Sequence, residues 1–373
     1  MESMLTTTQT ARRLGVKPAT VYSYVSRGLL TSTKVNRASM FDVAQVEALA
    51  RRTGARGAAS SVTDCIRTRI SLLENDQLHY RGRSVPGLSS TKRFEDVAYW
   101  LWTEIDSAGV QFPEGQEIWM ALPESATLTD RVRVAIALAS VGDPLRYDLD
   151  RAVTTAQSLI ADVVESLPLV GRPQGTDIAE RLWARLSPEP ARPDLLNAAL
   201  ILLADHDLAI STMAARVAAS AHANPYAVVS AGMGAMEGQK HGAATTIAYR
   251  FLRQAESDPM GAVAEQLRSG QPIPGFGHAV YRSRDPRADH LLALLRGEGD
   301  LVVDKVIATQ RGTFPNVDLA LAQFALMFKM PPDAGEAIFA IARIVGWIAH
   351  AMEEYREPGL RFRTLGVYTG DRP

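Results

Sequence analysis

Residues 274–287 read PGFGHAVYRSRDPR and bring one histidine, three arginines, two glycines and two prolines into one short stretch. Glycine lets a backbone approach a ligand closely, because it has no Cβ. Guanidinium groups stay charged at any relevant pH and bind planar carboxylates through paired hydrogen bonds. The stretch therefore predicts a rigid loop that binds a small anionic molecule.

The sequence around this loop has the pattern of a helical protein. Apolar residues recur at three- and four-residue spacing in 93–105, 129–141 and 151–167, which is typical of amphipathic helices. Alternating β-branched runs are scarce, and prolines cluster between the helical segments. From about residue 62 onward the sequence predicts an all-α body. No Gly-rich dinucleotide motif, phosphate loop or Gly-x-Ser-x-Gly elbow supports a common nucleotide or hydrolase site.

The composition is that of a globular chain long enough for two or three domains, with 373 residues and 46% hydrophobic content. The longest apolar segments are shorter than the ~20 residues of a membrane span or contain Arg343, so we expect no membrane span. The single cysteine, Cys65, excludes an internal disulfide and a cysteine-cluster metal site. A reducing, cytoplasmic location fits best.

The charge is uneven along the chain. Residues 1–57 hold nine Lys or Arg and three Asp or Glu, a net charge of +6, so the remaining 316 residues carry −7. A small basic head on a mildly acidic body predicts two functions, one of which involves phosphate backbones.

The basic head has the spacing of a helix-turn-helix over residues 7–30. Gly15 suits the turn, and Pro18 suits the first turn of the second helix. Residues 28–41 are typical of a two-stranded wing, and 42–52 of a third helix. The unit resembles the winged helix-turn-helix of mercury-resistance regulators and excisionases, which reads DNA in the major groove. The candidate DNA-binding residues are Lys17, Thr20, Ser23 and Arg27 on the second helix and Lys34 and Arg37 on the wing.

The head has a second interpretation, a small helical domain that only mediates packing or dimerisation. A single unit of this kind binds DNA weakly, so DNA binding through residues 7–41 requires a dimer. The Gly-, Ala-, Ser- and Arg-rich residues that follow, within 51–61, are typical of a flexible linker.

Four polar residues of the body lie in unusual settings. His206 lies between two aspartates, His241 lies among glycines, and His278 lies in the anion-binding loop. Asp318 begins an apolar helical segment, where a carboxyl group is costly to bury unless it is hydrogen-bonded or functional. A single histidine is more often structural than catalytic. Four such residues together, without the spacing of a metal site, favour a functional role.

Seven stretches match, in the same order, the motifs of one enzyme family: LHYRG (78–82), FEDVAYWLW (94–102), DHDLAISTMAARV (205–217), EGQKHG (237–242), PGFGHAVYRSRDPRA (274–288), FPNVD (314–318) and FAIARIVGWIAHAMEE (339–354). From about residue 64 onward the chain thus resembles the citrate synthase family. The match at 274–288 to the family signature Gly-aromatic-Gly-His-x-Val…Asp-Pro-Arg is long and specific.

The resemblance implies an all-α fold with a large and a small helical domain. The small domain closes over the large one and expels water from the site. It also implies a helical homodimer. The expected organisation is a winged helix-turn-helix at 1–52, a linker at 53–61, a large domain at 62–242 and 336–373, and a small domain at 243–335.

The resemblance also implies a reaction, the condensation of acetyl-CoA or propionyl-CoA with oxaloacetate to give citrate or 2-methylcitrate and CoA. In this family's pattern Asp318 is the base that removes a proton from the acyl methyl group. His241 donates to the thioester oxygen, and His278 polarises the oxaloacetate carbonyl. A short acyl-CoA is a co-substrate, and neither a tightly bound cofactor nor a metal is expected.

The binding residues implied by the resemblance are mostly cationic. His206 matches a residue that binds oxaloacetate, and Arg287 and Arg343 match its carboxylate clamps. A further clamp, Arg363 in the C-terminal segment, is expected to reach the site of the partner subunit, with Arg361 as the alternative. Arg282 matches a residue that contacts the phosphates of CoA.

Several stretches depart from the family pattern, among them HGAAT (241–245), where the family has Asn at the position of Thr245. Changed neighbours of reacting groups alter substrate preference or rate, so the preferred acyl-CoA stays open. A second hypothesis is a DNA-binding transcriptional regulator that uses the body as a metabolite sensor. The complete set of Asp318, His241 and His278 favours the enzyme, and the basic head favours the regulator.

Overall fold

The computed structural model describes residues 4–35, 38–52, 66–238, 244–310 and 312–362. The chain separates into two compact units, Thr68–Gly359 and the remainder. Each unit has its own hydrophobic core.

The first unit is a winged helix-turn-helix, as the sequence predicts. Gly15, with φ of 66°, makes the turn between the first two helices, and Pro18 occupies the first turn of the second. The antiparallel sheet has the order β1-β3-β2, so a third strand joins the expected two-stranded wing. Its elements are β1 Met4–Thr6, α1 Thr7–Leu14, α2 Pro18–Ser26, β2 Ser32–Val35, β3 Ala38–Asp42 and α3 Val43–Arg52.

The second unit begins with a small antiparallel sheet and continues as a helical body. The sheet has the order β4-β5-β6 and was not expected from the sequence, because its strands are too short for a clear alternating pattern. Its strands are β4 Ser71–Glu74, β5 Gln77–Tyr80 and β6 Arg83–Ser84.

Helices make up most of the remaining structure, and those predicted over 93–105, 129–141 and 151–167 are confirmed. They are α4 Val85–Thr91, α5 Phe94–Thr103, α6 Leu128–Gly142, α7 Ala152–Glu165, α8 Ile178–Leu186, α9 Pro193–Leu203, α10 Ile210–Ser220, α11 Pro225–Met236, α12 Ala244–Ala255, α13 Pro259–Arg268, α14 Pro286–Arg296, α15 Val302–Ile307, α16 Val317–Met327 and α17 Ala334–Glu354.

Helix α17 is the centre of the body and packs against α5, α6, α7, α9, α10, α11, α12 and α16. It is long and apolar enough to cross a membrane by length and composition, but 89% of its apolar window is buried inside the unit. Burial on all sides explains why it is apolar around its whole circumference. Such a helix is typical of a protein core.

The helices that carry the site pack against one another. Helix α16 packs against α12, α14 and α17, and α14 also packs against α4 and α9. Side-chain caps begin two of these helices, Asp285 at α14 and Asn316 at α16. Each cap lies two residues before a predicted site residue, Arg287 in α14 and Asp318 in α16. The starts of the two helices therefore position these side chains.

Candidate active site

Two loop segments pair to form the floor of the site. Gly277 N donates to the Phe314 carbonyl at 2.8 Å, and Asn316 N donates to the Gly275 carbonyl at 2.9 Å. Gly275 and Gly277 have φ of 79° and 75°, a left-handed conformation that glycine adopts without strain. The pairing brings the loop that carries His278 beside the start of α16, which carries Asp318.

The His278 ring is held in one tautomer by its own loop. Its Nδ1 accepts from Val280 N at 3.0 Å and Tyr281 N at 3.3 Å, so the proton of the neutral ring is on Nε2. Burial, together with the Arg287 guanidinium, lowers the pKa of His278 to about 4. The ring is therefore a neutral donor at pH 7, and its Nε2 lies 3.4 Å from the Nη2 donor of Arg287. His278 Nε2 and Arg287 Nη2 can therefore both donate to the same ligand.

Arg287 is fixed by a buried ion pair with Asp285. Asp285 accepts from Arg287 Nε at 3.0 Å and Nη2 at 2.8 Å, and its Oδ2 also accepts from Val317 N at 3.0 Å. Both side chains are almost fully buried. Asp285 thus joins the starts of α14 and α16 and orients the guanidinium, since each carboxylate oxygen has a partner.

Asp318 lies half-buried in the first turn of α16, where Asn316 caps the helix. Thr245 Oγ1 on α12 donates to its Oδ1 at 3.0 Å. Burial raises the pKa of Asp318 to about 6, against the opposing effects of Thr245 and Arg287. A carboxyl group with this pKa is a stronger base than an exposed aspartate and is still largely ionised at neutral pH.

His206 lies against the same loop, immediately before Asp207. Its Nε2 is 3.0 Å from the Tyr281 hydroxyl, and its ring centroid is 5.3 Å from that of His278. Tyr281 is buried and also contacts the His278 ring. The structure therefore brings His206, His278 and Arg287 together around Tyr281.

Arg343, on α17, contributes a second buried guanidinium to this region. Its Nε donates to the Leu203 carbonyl at 2.8 Å, and its guanidinium lies 4.5 Å from the Phe339 ring centroid. Its Nη2 is buried without a partner among the described residues. Burial lowers the pKa of Arg343 to about 10, so the group is charged at pH 7. A buried, unpaired guanidinium nitrogen is costly unless a ligand anion binds it.

A buried polar chain lies behind the site, and the sequence motifs do not predict it. Arg216 Nη1 donates to His350 Nδ1 at 2.8 Å, so His350 Nε2 carries the proton toward Asp205 Oδ2, at 3.3 Å. Arg216 is also paired with Glu353 and Glu354. The only sequence signal is polar residues on otherwise apolar helices, which does not identify their partners.

The remaining predicted residues are placed only in part. His241, Arg363 and Arg37 lie outside the described residues. The Arg282 side chain is exposed, and the half-buried Arg361 lies against the Phe362 ring.

On the first unit, four of the predicted DNA-binding side chains are exposed. Thr20 is half-buried, because it lies at the edge of the exposed face beside the buried Val21. The exposed side chains are Lys17, Ser23, Arg27 and Lys34.

A carboxyl group of raised pKa, a neutral histidine donor and two buried arginines define a helical acid–base enzyme with an anion-binding site. Within the described ranges, no three His, Cys, Asp or Glu residues form a group that holds a metal ion. The chain belongs to the citrate synthase family, because the sequence model of the citrate synthase C-terminal domain matches residues 59–363. A helix-turn-helix domain model matches residues 4–54.

Individual relatives agree with this assignment. The citrate synthase of Haloferax volcanii is 27% identical over 361 residues, covering 82% of this chain and 93% of the relative. A 2-methylcitrate synthase of Mycobacterium tuberculosis is 26% identical over 356 residues, covering 84% of this chain and 90% of the relative. The crystal structure of Thermotoga maritima citrate synthase superposes with a TM-score of 0.66 at 25% identity, covering 84% of this chain and 95% of the Thermotoga chain.

Proposed function

We propose that this chain condenses acetyl-CoA or propionyl-CoA with oxaloacetate, forming citrate or 2-methylcitrate and CoA. The observation that carries the proposal is the meeting of Asp318, His278 and Arg287 where two loops pair. The family membership and the two kinds of relative, citrate and 2-methylcitrate synthases, support the same reaction.

The reaction begins with proton transfer from the acyl methyl group to Asp318. A carbon acid beside a thioester is weak, so the base must be positioned and partly desolvated, as Asp318 is. His241 donates to the thioester oxygen and stabilises the enol or enolate. The developing carbanion carbon then faces the oxaloacetate carbonyl.

His278 performs the second proton step. Its Nε2–H donates to the carbonyl oxygen of oxaloacetate while the enol carbon attacks the carbonyl carbon. The new alkoxide takes the Nε2 proton, and the resulting imidazolate regains a proton from the water that hydrolyses the thioester. The CoA sulfur leaves as the thiol with the proton held by Asp318, and the new carboxylic acid releases its proton to solvent. The tautomer set by Val280 N and Tyr281 N places the proton on the nitrogen that this step uses.

Oxaloacetate is a dianion, and the arginines hold its two carboxylates. Arg287, preorganised by Asp285, binds one carboxylate close to His278. Arg343 binds the other through its unpartnered Nη2, and His206 donates beside them. Arg363 of the partner subunit completes the clamp, and Arg282 binds the phosphates of CoA.

The test is thiol release by purified protein supplied with oxaloacetate and either acetyl-CoA or propionyl-CoA. We expect oxaloacetate-dependent CoA release with at least one of the two, and the ratio of kcat/KM values assigns the preferred acyl group. No thiol release with any short acyl-CoA would overturn the proposal.

The working protein is a homodimer through α10 and α11. Helix α10 exposes Ile210 (71%) and Val217 (48%), which are large apolar side chains. The outer face of α11 is lined by small residues, including Ala227 and Gly234, which allow close helix packing. Val217→Asp is expected to give monomers in light scattering, whereas an unchanged dimer would contradict this interface.

The catalytic unit consists of a large domain, 62–242 with 336–373, and a small domain, 243–335, that close on each other. Closure excludes water and so protects the thioester before condensation. The chain works in the cytoplasm, where its single Cys65 stays reduced. Small-angle scattering with and without oxaloacetate plus CoA measures the closure. An unchanged radius of gyration contradicts it.

DNA binding by the first unit is a second candidate function, favoured by the helix-turn-helix match and the exposed Lys17, Arg27 and Lys34. We expect fluorescence anisotropy with a mixed-sequence 30-base-pair duplex to show binding that weakens as salt rises. Arg27→Ala should weaken it further. Absence of binding even at low salt would leave the head as a packing or dimerisation unit.

A further inference from the structure

The β4–β5 hairpin ends in a two-residue turn that carries a carboxylate. Glu74 pairs with Gln77, so Asn75 and Asp76 form the turn. Their φ values are 52° and 55°, the left-handed conformation of a type I′ turn, which Asn, Asp and Gly favour. The turn therefore fixes where the Asp76 side chain points.

The Asp76 carboxylate binds the anion-binding loop at three points. Its Oδ1 accepts from Arg282 N at 2.8 Å, and its Oδ2 accepts from Ser283 N at 2.8 Å and Ser283 Oγ at 2.5 Å. The partners are more than 200 residues apart in sequence, so the contact is purely tertiary. These bonds keep the pKa of Asp76 below its usual range.

The other parts of the loop have separate anchors. His278 Nδ1 holds the main chain of Val280 and Tyr281, and Asp285 holds Arg287. The hydrogen bonds described for the main-chain N–H groups of 282 and 283 go to Asp76. Loss of Asp76 thus releases the middle of the loop and leaves both ends in place.

We propose that Asp76 is a positioning residue that orders residues 282–283 and thereby presents the Arg282 side chain to the phosphates of CoA. The inference rests on the proposed function. It assigns the hairpin turn a role in acyl-CoA affinity and none in oxaloacetate affinity, because the groups proposed to bind oxaloacetate have their own anchors. Since ordering happens before binding, an intact turn lowers the entropy cost of binding CoA.

Asp76→Gly tests the proposal with little risk to folding. It creates Asn-Gly, the most favourable type I′ turn, and removes all three hydrogen bonds. We expect the KM for acyl-CoA to rise about tenfold, and the KM for oxaloacetate to stay within about twofold, because only the charge-assisted loop contacts are lost. Ser283→Ala, which removes one of the three bonds, should give a smaller rise.

Glu74→Gln is the matched control, because it removes an exposed carboxylate of the same hairpin, on the residue that pairs with Gln77 beside the turn. It should leave both KM values unchanged. The proposal is overturned if Asp76→Gly leaves the KM for acyl-CoA unchanged, or if it raises both KM values equally.

A calorimetric titration with CoA, in the presence of oxaloacetate, separates this proposal from the proposed function. If the wild-type protein releases no thiol, the condensation reaction is rejected while the titration still tests the turn. Weaker CoA binding by Asp76→Gly then supports the role of Asp76. Equal CoA binding by both proteins, or no CoA binding by the wild type, overturns it.

Discussion

At the scale of single residues, burial shifts the pKa values of two groups of the proposed active site in opposite senses for their charged forms. The pKa of Asp318 rises to about 6, which makes it a stronger base. The pKa of His278 falls to about 4, which keeps the ring a neutral donor. Separated values of this kind fit the proposed roles of Asp318 as the base and His278 as the donor.

Asp318→Asn removes the base and retains the size of the side chain. We expect kcat to fall by about 10³-fold, because a positioned base contributes rate enhancements of roughly this size. Steady-state thiol release measures kcat, and calorimetry measures oxaloacetate affinity, which should be preserved. A kcat within a few-fold of wild type would show that another group removes the proton.

Thr245→Val is expected to move the acid limb of kcat/KM to higher pH by about half a pH unit. Asp318 must be ionised to act, so activity falls as pH drops through its pKa. The lost Thr245 hydroxyl stabilised the ionised form, so its removal raises that pKa.

The other groups that act on Asp318 are Arg287 on α14, Asp285 before it and Glu336 on α17, and Thr245→Val leaves them in place. Thr245→Ser keeps the hydroxyl and should retain the wild-type pH profile. Identical profiles for the valine and serine variants would exclude this tuning.

At the scale of elements, α17 organises the body because it is buried along most of its length. Its Trp347 ring lies against Gly232 of α11, where an added Cβ would stand 2.6 Å from ring atoms. Close approach at this glycine lets α11 pack on the central helix. Helix α16 is fixed differently, through the hydrogen bond of its Val317 N to Asp285.

Gly232→Ala should therefore destabilise the protein by about 1–3 kcal/mol through overpacking in the core. Gly87→Ala on α4 is the control, since its added Cβ meets only ordinary contacts at 3.7 Å or more. The control should be neutral or stabilising by up to ~1 kcal/mol, because alanine is the better helix former. Urea titration compares the two, and equal stabilities would contradict the packing argument.

At the scale of the whole molecule, the proposed dimer makes each site depend on two chains. If Arg363 serves the partner's site, Asp318→Asn and Arg363→Ala are complementary defects. In a mixed dimer, the site with the intact Asp318 then receives an intact Arg363 from the other subunit. The other site of the mixed dimer then contains both substitutions, Asp318→Asn from its own chain and Arg363→Ala from the partner.

Co-expression of these two inactive variants is expected to restore thiol release, with each variant alone as the control. Thiol release by the purified mixed dimer, isolated through two different affinity tags, provides the measurement. If each chain supplied its own Arg363, both sites of the mixed dimer would be defective. Persistent inactivity would therefore place the arginine in its own subunit's site.

Much of the fold follows from local patterns in the sequence. The helix-turn-helix, the helices over 93–105, 129–141 and 151–167, and an apolar helix beginning close to Asp318 were all predictable, because helix periodicity and turn residues act within a few positions. The sheet β4-β5-β6 was not predictable from the sequence, because its short strands depend on pairing and burial. The third strand of the wing, β1, was missed for the same reason.

By itself, the sequence determined the helical class, the basic head, the order of the family motifs and the identity of the candidate site residues. Only the tertiary structure decided the partner of Thr245, the tautomer of His278, the unpartnered nitrogen of Arg343 and the contact of Asp76 with the loop. The physical reason is distance. Motifs depend on neighbours along the chain, whereas pKa values and hydrogen bonds depend on groups that folding brings together from remote positions.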